Sequence, residues 1–144
     1  MLPLLTRIDH VGIACRDLNK SMELYQATFG LKVVTVETHE AQGVREAMLA
    51  VGERALVAGY VQLLEPLGPD TPVGKFLARR GEGIHHVGYG VADIGEALSA
   101  LGEAGLRLID ERPRHGSMGA AIAFLHPADL GGVLTELVQF ATSP

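Results

Sequence analysis

The sequence predicts an α+β protein made of two tandem βαβββ modules, whose strands form a curved mixed sheet around a metal-centred cavity. Three observations carry that prediction. The stretch Ile8-Asp9-His10-Val11-Gly12-Ile13-Ala14 is restated as Ile84-His85-His86-Val87-Gly88-Tyr89-Gly90, 76 residues later in a chain of 144. The halves also end alike. Gln62, in Val61-Gln62-Leu63-Leu64, lies 52 residues after His10, and Glu136, in Thr135-Glu136-Leu137-Val138, lies 50 residues after His86. Finally, Gly30 and Gly105 close a helical pattern in each half at positions 75 residues apart.

Each element has its own signal. In the first half Arg7 to Ala14 alternates as a strand. Asp17-Leu18-Asn19 offers capping side chains ahead of a helix at Ser21 to Phe29, whose apolar face is Met22, Leu24, Tyr25 and Phe29 and whose stop is Gly30. Three β-rich segments follow near 32–38, 46–51 and 59–65. Pro66, Gly68, Pro69 and Pro72 bend the connection, and Val73 to Arg80 reads as a short helix released by Gly81 and Gly83. The second half repeats the order: a strand at 84–91, a cap at Asp93, a helix face of Leu98, Leu101 and Ala104, a stop at Gly105, and strands near 107–112, 119–125 and 133–140. The modules are thus about 6–65 and 82–140, joined by 66–81 within one domain spanning 1–144.

Alternation assigns the faces. Ile8, Gly12 and Ala14 share the face of His10, and Ile84, Gly88 and Gly90 share that of His86. Val11 and Ile13, and Val87, Tyr89 and Val91, lie opposite, as bulk against a helix should. The small residues beside each histidine predict room for something else.

Bulk properties exclude several classes. Hydrophobic residues make up 47% and charged residues 20%, an ordinary globular balance that argues against a disordered or fibrous chain. A net charge of −5 argues against a nucleic-acid partner. No apolar run approaches the ~20 residues that span a bilayer, and Met1-Leu2-Pro3-Leu4-Leu5 has no signal-peptide pattern. No membrane partner and a cytoplasmic location are the expectation. Cys15, the single cysteine, reads as a small buried hydrophobe.

The duplicated modules would bring His10, Gln62, His86 and Glu136 around one point. Imidazole, amide and carboxylate together suit a divalent first-row ion. Two imidazoles, one amide and one carboxylate leave open coordination positions, the mark of a Lewis-acid site, and the lack of thiolate ligands disfavours structural zinc. His39, His85, His115 and His126 are read instead as structural or surface histidines.

These residues resemble the vicinal oxygen chelate superfamily, and within it the methylmalonyl-CoA epimerase family. The resemblance rests on Ile8–Ala14, Tyr25–Leu31, Gln42–Leu49, Val61–Pro66, Gly83–Val91 and Phe124–Gln139, nearly the whole chain. Its most specific part is the His-Pro-x-x-x-Gly-Gly-Val-Leu-x-Glu-Leu run at 126–137. The resemblance implies a glyoxalase-like fold and metal ligation by His10, Gln62, His86 and Glu136, with Co2+ favoured and Mn2+, Mg2+, Ni2+ or Zn2+ as alternatives. It also implies an acyl-CoA substrate and a homodimer. The family's second acid/base falls on Glu46, in Gly43-Val44-Arg45-Glu46; on strand pattern alone that position is either an exposed edge charge or a cavity base. The implied reaction interconverts (R)- and (S)-methylmalonyl-CoA through a metal-stabilised enolate, with Glu46 and Glu136 as the acid/base pair. Ethylmalonyl-CoA is the alternative substrate. The basic candidates for the CoA phosphates are Lys75, Arg79 and Arg80, and Arg112, Arg114 and His115.

Rival readings remain within the superfamily. Glyoxalase I usually has Glu where Gln62 stands and lacks the 126–137 run. Extradiol dioxygenases are about twice as long and would leave Gln62 idle. A fosfomycin-type thiol transferase lacks support in its binding residues. A metal-free binding protein would not need all four ligand types.

Overall fold

The computed structural model describes residues 4–53 and 56–141. Among these lie eight strands and three α-helices, an α+β architecture in the repeated order anticipated above. They form two compact units. One comprises Met1–Asp9 with His86–Pro144, the other His10–His85, so the first strand, β1 (Leu5–Ala14), contributes residues to both.

In the His10–His85 unit, α1 (Leu18–Phe29) follows β1, and then come β2 (Lys32–His39), β3 (Val44–Glu53), β4 (Leu56–Pro66) and α2 (Pro72–Arg80). β3 lies between β2 and β4 and is antiparallel to both, and β4 runs parallel to the His10–Ala14 end of β1. Asp17 caps α1 by accepting from the Lys20 N–H, and Gly30 ends it in the left-handed conformation at φ 69°. Between β2 and β3 the chain turns through a single 3-10 turn, Glu40–Gln42, and Gly43 at φ 70°. An ideal Cβ on Gly43 would lie 2.5 Å from Thr71 Cγ2, so this turn requires glycine for both its conformation and its close approach.

The core of this unit has two parts. Ile13, Leu18, Met22, Tyr25, Ala47, Leu49 and Leu63 pack α1 against the sheet, as the opposite-face assignment of Ile13 predicts. Ala14, Val44, Leu64, Val73 and Leu77 pack α2 over the other side, each large side chain being worth about 1.5–3 kcal/mol.

The other unit contains β5 (Gly83–Val91, from His86 on), α3 (Ile94–Glu103), β6 (Arg114–His115), β7 (Ala121–Leu125) and β8 (Thr135–Gln139). β8 is parallel to β5 and antiparallel to β7, and β6 pairs with β7. Val91, Ile94, Ala97, Leu98, Ala123, Leu125 and Leu137 form its core. The repeat extends to helix entry. Glu65 at the end of β4 accepts from the Leu18 N–H at 2.7 Å, and Gln139 at the end of β8 accepts from the Ile94 N–H at 2.9 Å. Each helix therefore has a first-turn N–H satisfied by the last strand of its own half.

Four expectations are corrected. Leu24 and Phe29, read as part of the apolar face of α1, are exposed, at 62% and 68%. Residues 107–112 are not a strand. They lie along β7, but Asp110 accepts from the Phe124 N–H with its side chain, the Ile109 and Asp110 N–H groups share one carbonyl, and Pro113 has no N–H to continue a ladder. The strand of that stretch is the two-residue β6. Ala104 is exposed rather than on the buried helix face, because α3 ends at Glu103. The small residues of β1 and β5 do not all mark open room. Ala14 is covered by α2, and a Cβ on Gly90 would meet Arg7 at 2.7 Å.

Candidate functional site

In the His10–His85 unit, strand register places three candidate residues on one face. Gly12 of β1 lies beside Gln62 of β4, which puts His10 on the same face, and Met48 of β3 lies opposite Gln62 with Glu46 two residues away. His10, Gln62 and Glu46 are all buried. Gln62 Nε2 donates to Glu46 Oε2 at 2.8 Å. The amide N–H is thus committed to the carboxylate, which leaves metal ligation to the carbonyl oxygen, the only amide atom suited to it. Glu46 is 2% exposed and sits on an interior strand, so the edge-charge alternative is excluded.

In the other unit, Gly88 of β5 lies beside Glu136 of β8. His86, two residues earlier on the same face, brings Nε2 within 3.9 Å of Glu136 Oε2. Both residues are buried, and the His86 ring meets Phe124 edge-on at a centroid distance of 5.4 Å. A buried imidazole beside a buried carboxylate is expensive unless the two share a proton or a cation.

The remaining histidines divide. His126 is structural: its Nδ1 accepts from the Ala128 N–H at 3.1 Å. His85 packs against Phe76, and burial lowers its pKa, which favours the neutral ring. His115 is exposed on β6. His39 lies beside the candidate base. Its Nε2 lies 3.1 Å from Glu46 Oε1 and 3.9 Å from Glu37 Oε1. No local pattern signals this, because it depends on the β2–β3 register that sets Glu37 directly across from Glu46.

The basic candidates all lie on exposed positions: Lys75, Arg79 and Arg80 on α2, and Arg112, Arg114 and His115 in the other unit. Arg114 is already paired with Asp110 at 3.3 Å and lies over the Phe124 ring. Cys15 is buried as expected, and burial pushes its pKa up. Among the described residues no helix is long and apolar enough to cross a membrane.

Comparison with known proteins bears on the whole chain. Residues 9–124 match the Glyoxalase/Bleomycin resistance protein/Dioxygenase superfamily. The ethylmalonyl-CoA/methylmalonyl-CoA epimerase of Cereibacter sphaeroides is 36% identical over 92% of this chain and 97% of its own. A variant of Streptomyces coelicolor methylmalonyl-CoA epimerase in complex with 2-nitronate-propionyl-CoA is 50% identical, covering 96% of this chain and 99% of that one, with a TM-score of 0.91. A solved methylmalonyl-CoA epimerase in complex with methylmalonyl-CoA and NH4+ is 51% identical, covering 97% and 99%, again with a TM-score of 0.91. The chain belongs to the methylmalonyl-CoA epimerase family of the Glyoxalase/Bleomycin resistance protein/Dioxygenase superfamily.

Proposed function

We infer that this protein interconverts (R)- and (S)-methylmalonyl-CoA by removing the C2 proton on one face and returning it on the other. The observation that carries the reading is Glu46: a carboxylate 2% exposed, on an interior strand, oriented by the Gln62 amide at 2.8 Å. A buried carboxylate held this way is a costly structural element and a well-placed base.

The C2–H of a 2-methyl-3-oxo thioester acid lies between two carbonyl groups, so proton loss yields a planar enolate. We assign Glu46 to one face of that carbon and Glu136 to the other, with their roles as base and acid exchanged between directions. His10, Gln62, His86 and Glu136 would hold one divalent ion, and their fit is supported by burial and by an all-N/O donor set. When bound, the ion supplies Lewis acidity that favours negative charge on the thioester oxygen. Cobalt is the ion the family resemblance favours; manganese, magnesium, nickel and zinc share the donor preference. Glu136 then has two tasks, whereas Glu46 is engaged by Gln62 and His39 and has one.

An acyl-CoA substrate is supported by the relatives solved with methylmalonyl-CoA and with a nitronate CoA ester. Its phosphates require cations, for which Lys75, Arg79, Arg80, Arg112, Arg114 and His115 are the exposed candidates. A cytoplasmic homodimer belongs to the same reading.

The test is Glu46→Gln. It preserves shape and hydrogen-bonding capacity but removes the base. We expect metal stoichiometry to be retained and epimerase kcat to fall by about 10²- to 10⁴-fold, the range of general acid–base contributions. Full turnover by Glu46→Gln would overturn the assignment of two carboxylates.

A further inference from the structure

We propose that His39 is a positioning residue that fixes the Glu46 carboxylate for proton abstraction, an inference that rests on the epimerase reading above. Glu46 stands on the middle strand of three and is engaged from both sides. Gln62 on β4 holds Oε2 at 2.8 Å, and His39 on β2 approaches Oε1 at 3.1 Å. With one neighbour at each oxygen, rotation of the carboxylate about its terminal bond is restricted to one orientation. A base that must meet a carbon-bound proton at a fixed angle needs that restriction, since a misplacement of about 1 Å costs on the order of 10²-fold.

Two further observations bear on this role. His39 Nε2 is buried and makes no aligned hydrogen bond among the described residues, although it lies 3.1 Å from Glu46 Oε1. Hydrogen bonds at catalytic groups are often poorly aligned in the free protein and tighten when substrate binds. The second observation is the pairing of Glu37 with Glu46 across the β2–β3 ladder. Like charges directly opposite are unfavourable, and His39 lies between them, 3.9 Å from Glu37 Oε1. Glu37 is itself held by the Thr35 hydroxyl at 3.3 Å and is the more exposed of the two carboxylates. Relief of that repulsion is the competing explanation for His39.

The experiment uses the cobalt-loaded protein with methylmalonyl-CoA and measures kcat, KM and bound metal for His39→Ala, His39→Gln and the double variant His39→Ala/Glu37→Gln. The Gln amide nitrogen occupies roughly the place of Nε2, so His39→Gln keeps a donor near Oε1 without the ring. We expect His39→Ala to lower kcat by about 10- to 100-fold, with KM and metal stoichiometry within about twofold. His39→Gln should recover most of the loss, and removing the Glu37 charge should not. The proposal is overturned if His39→Ala keeps wild-type kcat, if His39→Gln is as impaired as His39→Ala, if the double variant regains full activity, or if the loss tracks metal or KM. Should His39→Ala not fold, His39→Leu replaces it with the same expected outcomes. Wild-type protein that is inactive on methylmalonyl-CoA would defeat the epimerase reading itself; active wild type with an unaffected His39→Ala would defeat only the positioning role.

Discussion

Replacing Gly90 with Ala tests how the start of β1 is anchored, one residue ahead of His10. An ideal Cβ at Gly90 would stand 2.7 Å from Arg7 Cζ and Nη1 and 2.9 Å from Arg7 Cγ, so the arginine must move. Arg7 donates through Nε at 3.1 Å and Nη2 at 2.9 Å to Asp9 Oδ1 and lies over the Phe140 ring at 5.3 Å. Asp9 is 1% exposed, so loosening the pair weakens the partner of a buried carboxylate. A hydrogen bond to a charged group is worth about 1.5–3 kcal/mol. Because the Arg7 side chain is 42% exposed, water offsets part of that, leaving a cost of about 1–2 kcal/mol. Against it, Ala restricts the unfolded chain and stabilises by about 0.4–1 kcal/mol. The net expectation is a destabilisation of up to about 1.6 kcal/mol, or a Tm lower by up to roughly 6 °C. Urea and thermal denaturation of Gly90→Ala, Arg7→Ala and the double variant form the assay. Without the arginine only the favourable contribution remains, so Gly90→Ala in the Arg7→Ala background should be neutral or stabilising. An equal penalty in both backgrounds would refute the reasoning.

Other expectations concern single groups. Cys15 is buried, its thiol directed at the Leu64 carbonyl oxygen at 3.5 Å, and burial raises its pKa. Its thiolate should therefore be scarce, and a thiol reagent at pH 8 should titrate one cysteine only after denaturant is added; rapid labelling of native protein would contradict this. The Arg107 guanidinium holds Asp129 through hydrogen bonds at 3.1 and 2.9 Å, with a backbone bond at 2.8 Å, and pulls its pKa down to about 2. Because the folded-state pKa is depressed, the pair's contribution is present above the unfolded value of about 3.9 and is lost as pH falls toward 2. The denaturation midpoint of Asp129→Asn should therefore lie below wild type at pH 7, with the gap closing between about pH 4 and pH 2; a gap independent of pH would count against this pairing.

Local chemistry made much of the fold legible. Asp17, Asp93 and Gly30 act within one turn of their helices, so their capping and stop roles could be read without knowing the fold. The stretch 107–112 misled because its bonding to β7 is not a regular ladder: the Asp110 side chain takes the Phe124 N–H, while the Ile109 and Asp110 N–H groups share the Phe124 carbonyl, an arrangement that alternation does not encode. Gly90 misled for the same reason, since the space beside it is taken by Arg7 from another strand. In the candidate site, the repeat exposed His10 and His86 because duplication preserves position. Gln62 is legible from the matching ends of the two halves and Glu46 from the family resemblance, but their contact depends on the Met48–Gln62 and Glu46–Leu64 register. His39 was out of reach of any local reading, since only the pairing of Glu37 with Glu46 brings it to the base.

Proton exchange at C2 tests the central claim most directly. Wild-type protein loaded with cobalt and given (S)-methylmalonyl-CoA in D2O should produce the (R) epimer with deuterium at C2, followed by mass spectrometry and a stereospecific coupled assay. Chelator-stripped protein should lose that activity and regain it when the metal is restored. Absence of both epimerisation and deuterium incorporation in the metal-loaded protein would contradict the account, as would undiminished epimerisation by protein shown to hold no metal.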